Sequence, residues 1–165
     1  MTVLIAFDGS DDSRAAVEYA ARHLRPEPAV ILSVWEPLLS QISWAPIAAA
    51  APTVMQTGGR TEFEEQRQAE LLATKGAEFA AAAGLPDVTP RAERSGGPTW
   101  AAIVDVATEI DASLVVTGSR GLSGARSVLL GSTSTRVLHH VNRPVLIVPP
   151  AKTADKDGGK DGGEG

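Results

Sequence analysis

The sequence predicts a single α/β domain, a doubly wound parallel sheet of five strands in the order 3-2-1-4-5 with helices on both faces. Three observations predict it. Five short apolar runs alternate with longer segments of helical period across residues 1–150. Four of the runs are apolar nearly throughout, as strands buried on both faces are. A strand–helix alternation of this kind builds right-handed crossovers and a parallel sheet. At 165 residues the chain has room for one well-buried core and not for two of ordinary size.

The first strand is "VLIAF", residues 3–7, and "DGSDDS" after it reads as a turn and helix start. In the helix that follows, Ala16, Val17, Ala20, Ala21 and Leu24 fall on one face. The second strand, "AVILSV" at 29–34, follows the breaker "RPEP". Residues 35–60 are rich in Pro and Ala without clear periodicity, as functional lids or disordered insertions are, and read as a mobile flap with a short helix at 47–51. Helical period resumes at Thr61, where Leu72, Gly76, Phe79 and Ala83 share a face until "GLPD" ends it. A more polar strand over 88–95 belongs at a sheet edge. "GGPTW" then opens a helix with Trp100, Ile103, Val104 and Ala107 on its core face. The fourth strand is "SLVVTG", residues 113–118; a Gly/Ser loop and a helix carrying Val137, Leu138 and Val141 lead to the fifth, "RPVLIVPP". Residues 151–165 are Gly-, Lys- and Asp-rich and are expected to form a disordered tail outside the domain.

Composition narrows the function. Apolar residues make up 43% and charged residues 21%, ordinary for a soluble globular protein. The absence of cysteine excludes disulfide scaffolds, thiolate metal sites and a cysteine nucleophile. A net charge of −5 argues against a nucleic-acid partner. "MTVLIAFDGS" has no basic n-region and no apolar run reaches membrane-spanning length, so the expected location is cytoplasmic, away from any membrane.

Open parallel sheets bind ligands beyond the carboxyl ends of their strands, where strand order reverses. With strands one and four adjacent, Asp8 and the loop beginning at Gly118 face one crevice. Gly118 and Gly121 let backbone approach a ribose or phosphate, and Gly131-Ser132 opens the last helix with free N–H groups and a hydroxyl. Asp8 suits ribose hydroxyls or an adenine amino group. Arg120 and Arg126 read as solvated or phosphate-paired, and His139 and His140 as residues favoured by the end of a helix. Trp35 and Trp44 flank the mouth of the crevice.

Gly118, Gly121, Gly131 and Ser132 fit the pattern G-x2-G-x9-G-[S/T] at every spacing, behind a strand and before a helix. With "DGS" at residues 8–10 and the terminal "RPVLIVPP", the chain resembles the nucleotide-binding branch of the universal stress protein family. The resemblance covers residues 2–149. It implies a nucleotide site of Ala6, Asp8, Val34, Thr117, Gly118, Arg120, Gly121, Gly131, Ser132 and Thr133, with no catalytic residue and no protein-bound metal. In it Asp8 meets the ribose and adenine side, the Val34 backbone faces adenine, and Ser132 and Thr133 donate to phosphates. Ser33 departs from the family, standing where His is common, and Trp35 follows Val34.

The function implied is an ATP-binding regulatory protein of the stress response, with Mg2+ accompanying the nucleotide. Cyclic AMP is the competing ligand, and a scaffold that binds no nucleotide the competing role. The family also implies a homodimer through the fifth strand, whose apolar edge needs cover in any case. ATP hydrolysis requires a positioned water, held Mg2+ and cationic stabilisation. Asp8 is the only acid firmly placed at the crevice and no P-loop lysine is present, so a binding protein is expected, with at most slow ATPase or autophosphorylating activity.

Overall fold

The computed structural model describes residues 1–37, 51–121 and 130–150, the stretch 51–60 by its backbone. In chain order its elements are β1 (Val3–Ala6), α1 (Asp11–His23), β2 (Ala29–Trp35), α2 (Ala51–Ala82), β3 (Val88–Arg94), α3 (Thr99–Glu109), β4 (Leu114–Gly118), α4 (Ser132–His140) and β5 (Val145–Val148). The strands form one sheet in the order β3-β2-β1-β4-β5, every neighbour parallel, as the sequence predicts.

Side chains of a strand alternate between the sheet faces, so each strand feeds two cores. Val3, Ile5 and Phe7 join Ile31 and Val116 under α1 and α2, where Ala16, Val17, Ala20, Ala77 and Ala80 are buried. Leu4, Leu32 and Val115 point the other way, against Ile103, Val106 and Ala107 of α3 and Val137 of α4. The alanines on the first face bring helix and sheet close together. Closest is Gly76 of α2, where an added Cβ would lie 2.6 Å from the Phe7 ring and 2.8 Å from Ile31 Cγ2.

Ser10 caps α1, its hydroxyl accepting the Ser13 N–H at 3.2 Å. The chain reaches that cap through Gly9, whose φ of +79° lies in the left-handed region that favours glycine. α3 is capped from a distance: Glu36 Oε1 accepts the Thr99 N–H at 3.1 Å and the Thr99 hydroxyl at 2.7 Å.

The flap is shorter than the sequence indicates, because α2 starts at Ala51 and not Thr61. Pro52 lies in its first turn, where a missing N–H breaks no helical bond. Gly58 and Gly59 lower local propensity by about 1 kcal/mol each and mask the period, yet the helix runs through them. The short helix expected at 47–51, Trp44, Arg126 and the tail lie outside the described residues, save that Ala51 begins α2.

β3 lies at the sheet edge, as its polarity predicts, and carries Pro90 there. Its Arg91 bonds Glu93 at 2.8 Å and Glu109 of α3 at 2.7 Å. The direct hydrogen bond from Arg91 holds the exposed Glu109 carboxyl below its ordinary range. At the opposite edge, Val145, Leu146 and Ile147 of β5 are only half-buried. Among the described residues no helix is long and apolar enough to cross a membrane.

Gly76→Ala is expected to lower stability by about 1–2 kcal/mol, overpacking outweighing the gain in helix propensity. Gly96→Ala, where a Cβ meets nothing within 4 Å, should leave it unchanged. Urea unfolding midpoints of the two variants check the contrast.

Candidate functional site

β1 and β4 are neighbours whose crossovers run to opposite sides, so a crevice opens beyond their carboxyl ends. A cleft of about 310 Å³ occupies it. All ten residues that the sequence assigns to the site line this cleft. Ala6, Asp8 and Val34 come from the ends of β1 and β2, Thr117, Gly118, Arg120 and Gly121 from the end of β4 and the loop after it, and Gly131 to Thr133 from the start of α4. Leu32 and Ile103 add apolar wall beside Ala6 and Val34, opposite the glycines and hydroxyls. The cleft is therefore apolar at one end and rich in backbone N–H and hydroxyl groups at the other.

The glycines are required by close contacts. A Cβ on Gly118 would lie 2.7 Å from the carbonyl carbon of Asp12. One on Gly121 would come within 3.0 Å of Asp8 Oδ2, and one on Gly131 within 3.2 Å of the Ser119 carbonyl oxygen. The Gly131 N–H donates to that same oxygen at 2.6 Å, and the Ser134 hydroxyl donates to the Gly118 carbonyl at 2.7 Å. These two bonds fasten the first turn of α4 to the end of β4. Asp8 is steadied through Oδ1, which accepts the Ser10 N–H at 3.0 Å.

α4 differs from α1 at its start. Gly131 occupies the N-cap position and supplies no side-chain hydrogen bond. The leading amide groups of α4 thus meet the cleft uncapped among the described residues, carrying the positive end of the helix dipole. Thr117, 4% exposed, has a buried hydroxyl with no hydrogen-bond partner among them. Leaving such a group unpaired costs about 1–3 kcal/mol.

Asp12 is the site residue that sequence reasoning missed. It is 7% exposed, and its Oδ2 accepts from the Ser119 hydroxyl at 2.9 Å and the Arg120 N–H at 3.0 Å. Arg120 Nε lies 3.4 Å from the same oxygen, so Arg120 is paired and partly buried. Nothing in the sequence separates Asp12 from its exposed neighbour Asp11, since both are first-turn acids of the kind any helix start favours. Asp8 therefore has a second acid directly behind the glycine loop.

Other readings shift. Ser33 is buried and donates to the Phe7 carbonyl at 2.8 Å, bracing the floor between β1 and β2. Trp35 does not line the cleft; the Arg94 guanidinium lies 5.9 Å from its ring centroid. Trp100 is half-buried rather than fully in the core, with its ring 4.2 Å from that of His140. Among the described residues no three His, Cys, Asp or Glu side chains gather closely enough to hold a metal.

Asp12→Ala would strand the Ser119 hydroxyl and the Arg120 N–H, and is expected to lower stability by about 2–3 kcal/mol. Asp11→Ala should change it by less than about 0.5 kcal/mol. Thermal unfolding of the two variants checks the difference.

Comparison with known proteins agrees with this fold. The model of the Universal stress protein family matches residues 1–149. Universal stress protein YxiE of Bacillus subtilis is 33% identical over 150 residues, 88% of this chain and 97% of that protein. A universal stress protein of Mycolicibacterium smegmatis is 31% identical over 152 residues, 88% of this chain but 47% of the relative, so the chain spans about half of that protein's length. A solved universal stress protein, described as a complex with cAMP, superposes with a TM-score of 0.57 at 29% identity, covering 92% of this chain and 98% of that one. The chain belongs to the universal stress protein family.

Proposed function

We propose that the cleft binds an adenine nucleotide, ATP with Mg2+, and that the chain works as a nucleotide-dependent regulatory dimer in a stress response. The observation that carries this reading is the start of α4, which faces the cleft uncapped among the described residues. α1 begins at the same sheet edge and is satisfied by Ser10, whereas α4 offers its first N–H groups beside Ser132 and Thr133. Phosphate is the ligand such a start favours. The buried Thr117 hydroxyl at the same cleft supports it, because a bound molecule or an ordered water would supply the partner that the described residues do not.

Adenine fits the apolar end, between Ala6, Val34 and Ile103, with the ribose beside Asp8. Mg2+ takes oxygen ligands and usually arrives with the phosphates plus one or two carboxylates. Asp8 is the carboxylate that lines the cleft, and it fits that donor set. The relative in complex with cAMP, at 29% identity, favours a second reading in which a cyclic nucleotide occupies the same space. Dimerisation fits the half-buried apolar edge of β5. Nucleotide bound between β4 and α4 would bias such a dimer through the elements that flank β5.

Isothermal titration with Mg-ATP, ADP, AMP and cAMP tests the site. Saturable binding is expected, weakened at least about tenfold in Gly131→Val with the fold intact by circular dichroism. Normal ATP binding by that variant would overturn the assignment, and no binding of any nucleotide would favour a scaffold. Light scattering across a dilution series is expected to give the dimer mass, and a monomer mass throughout would remove the dimer from the proposal.

A further inference from the structure

A second cavity, of about 560 Å³, adjoins the cleft across the start of α4. The two share Thr99, Ser132 and Thr133, so a ligand whose phosphates lie at the helix start reaches both. Trp100 and Arg136 line the second cavity and not the first. Arg136 stands one helical turn after Ser132, is exposed, and has no side-chain partner among the described residues. Glu36, the acid of the cavity, is committed to the Thr99 N–H and hydroxyl. Trp100 is partly packed on the α3–α4 core and held against His140, with ring centroids 4.2 Å apart and a tilt of 32°. An unpaired guanidinium beside a fixed aromatic wall suits a phosphate followed by a planar ring.

We propose that the second cavity is a subsite for the far end of a nucleotide whose phosphate chain carries a second ring-bearing group, of the dinucleoside polyphosphate class. The inference rests on the nucleotide reading of the cleft. The first nucleoside occupies the apolar end of the cleft, and the phosphate chain crosses the start of α4 at Ser132 and Thr133. Arg136 takes a phosphate beyond that point, and the second base lies on Trp100. ATP carries no second ring-bearing group and would leave the Trp100 wall unused.

Calorimetry comparing Mg-ATP with diadenosine tetraphosphate tests it. The tetraphosphate is expected to bind about tenfold more tightly, the size of one stacking or charge-assisted contact. Arg136→Ala, at an exposed position, and Trp100→Leu should each abolish the preference and leave ATP affinity unchanged. Equal affinity for the two ligands in the unaltered protein would overturn the subsite while leaving the nucleotide reading in place. So would an Arg136→Ala variant that loses ATP and tetraphosphate equally, since Arg136 would then serve the ATP phosphates. Binding of neither ligand would remove both the subsite and the nucleotide reading.

Discussion

The end of β4 lies against the backbone of α1, and this contact governs the crevice. At Gly118 there is no room for even a methyl group beside Asp12. That approach brings the Asp12 carboxylate within reach of Ser119 and Arg120, which it gathers on one oxygen. The loop so held offers the Ser119 carbonyl to Gly131, and Gly131 sets where α4 begins. A sequence of short contacts thus runs from the first helix to the last, with a glycine at the two tightest points. It keeps the N–H groups of α4 aimed across the sheet edge, with no capping side chain among the described residues.

The rest of the fold supplies rigidity to that edge. β1, β2 and β4 are buried on both faces, and their fully enclosed Leu4, Ile5, Ile31, Leu32, Val115 and Val116 tie the two helical layers together. A sheet packed in this way cannot splay at its carboxyl end without opening both cores. Ser33 adds a cross-strand bond at the floor of the cleft, where an apolar residue would leave the Phe7 carbonyl one partner short.

Much of this was legible in the sequence. The parallel sheet followed from the alternation of runs and crossovers, and the order 3-2-1-4-5 was the arrangement that put Asp8 and the glycine loop at one crevice. The glycine spacing carried the family resemblance that named the other residues of the cleft, because glycine at a close approach leaves a mark in the sequence. Asp12 left none: an acid in a first turn looks alike whether it faces water or a buried loop. The start of α2 was hidden for a related reason, since Pro52 and the Gly58–Gly59 pair read as breakers although a first turn accommodates one and a long helix absorbs the other. Trp100 followed the core period of α3, yet its size carries it past the core to the surface beside His140.

The two edges of the sheet are chemically unlike. β3 is closed to further strands by Arg91, its carboxylate partners and Pro90, whereas β5 is short and largely apolar. Head-to-tail growth needs one edge to accept the other, and here one refuses. In the proposed dimer, strand pairing between copies would therefore join β5 to β5, like edge to like edge, and would be complete at two chains. The charges on β3 would then act as a terminator, leaving such a dimer no second edge on which to grow into a fibre.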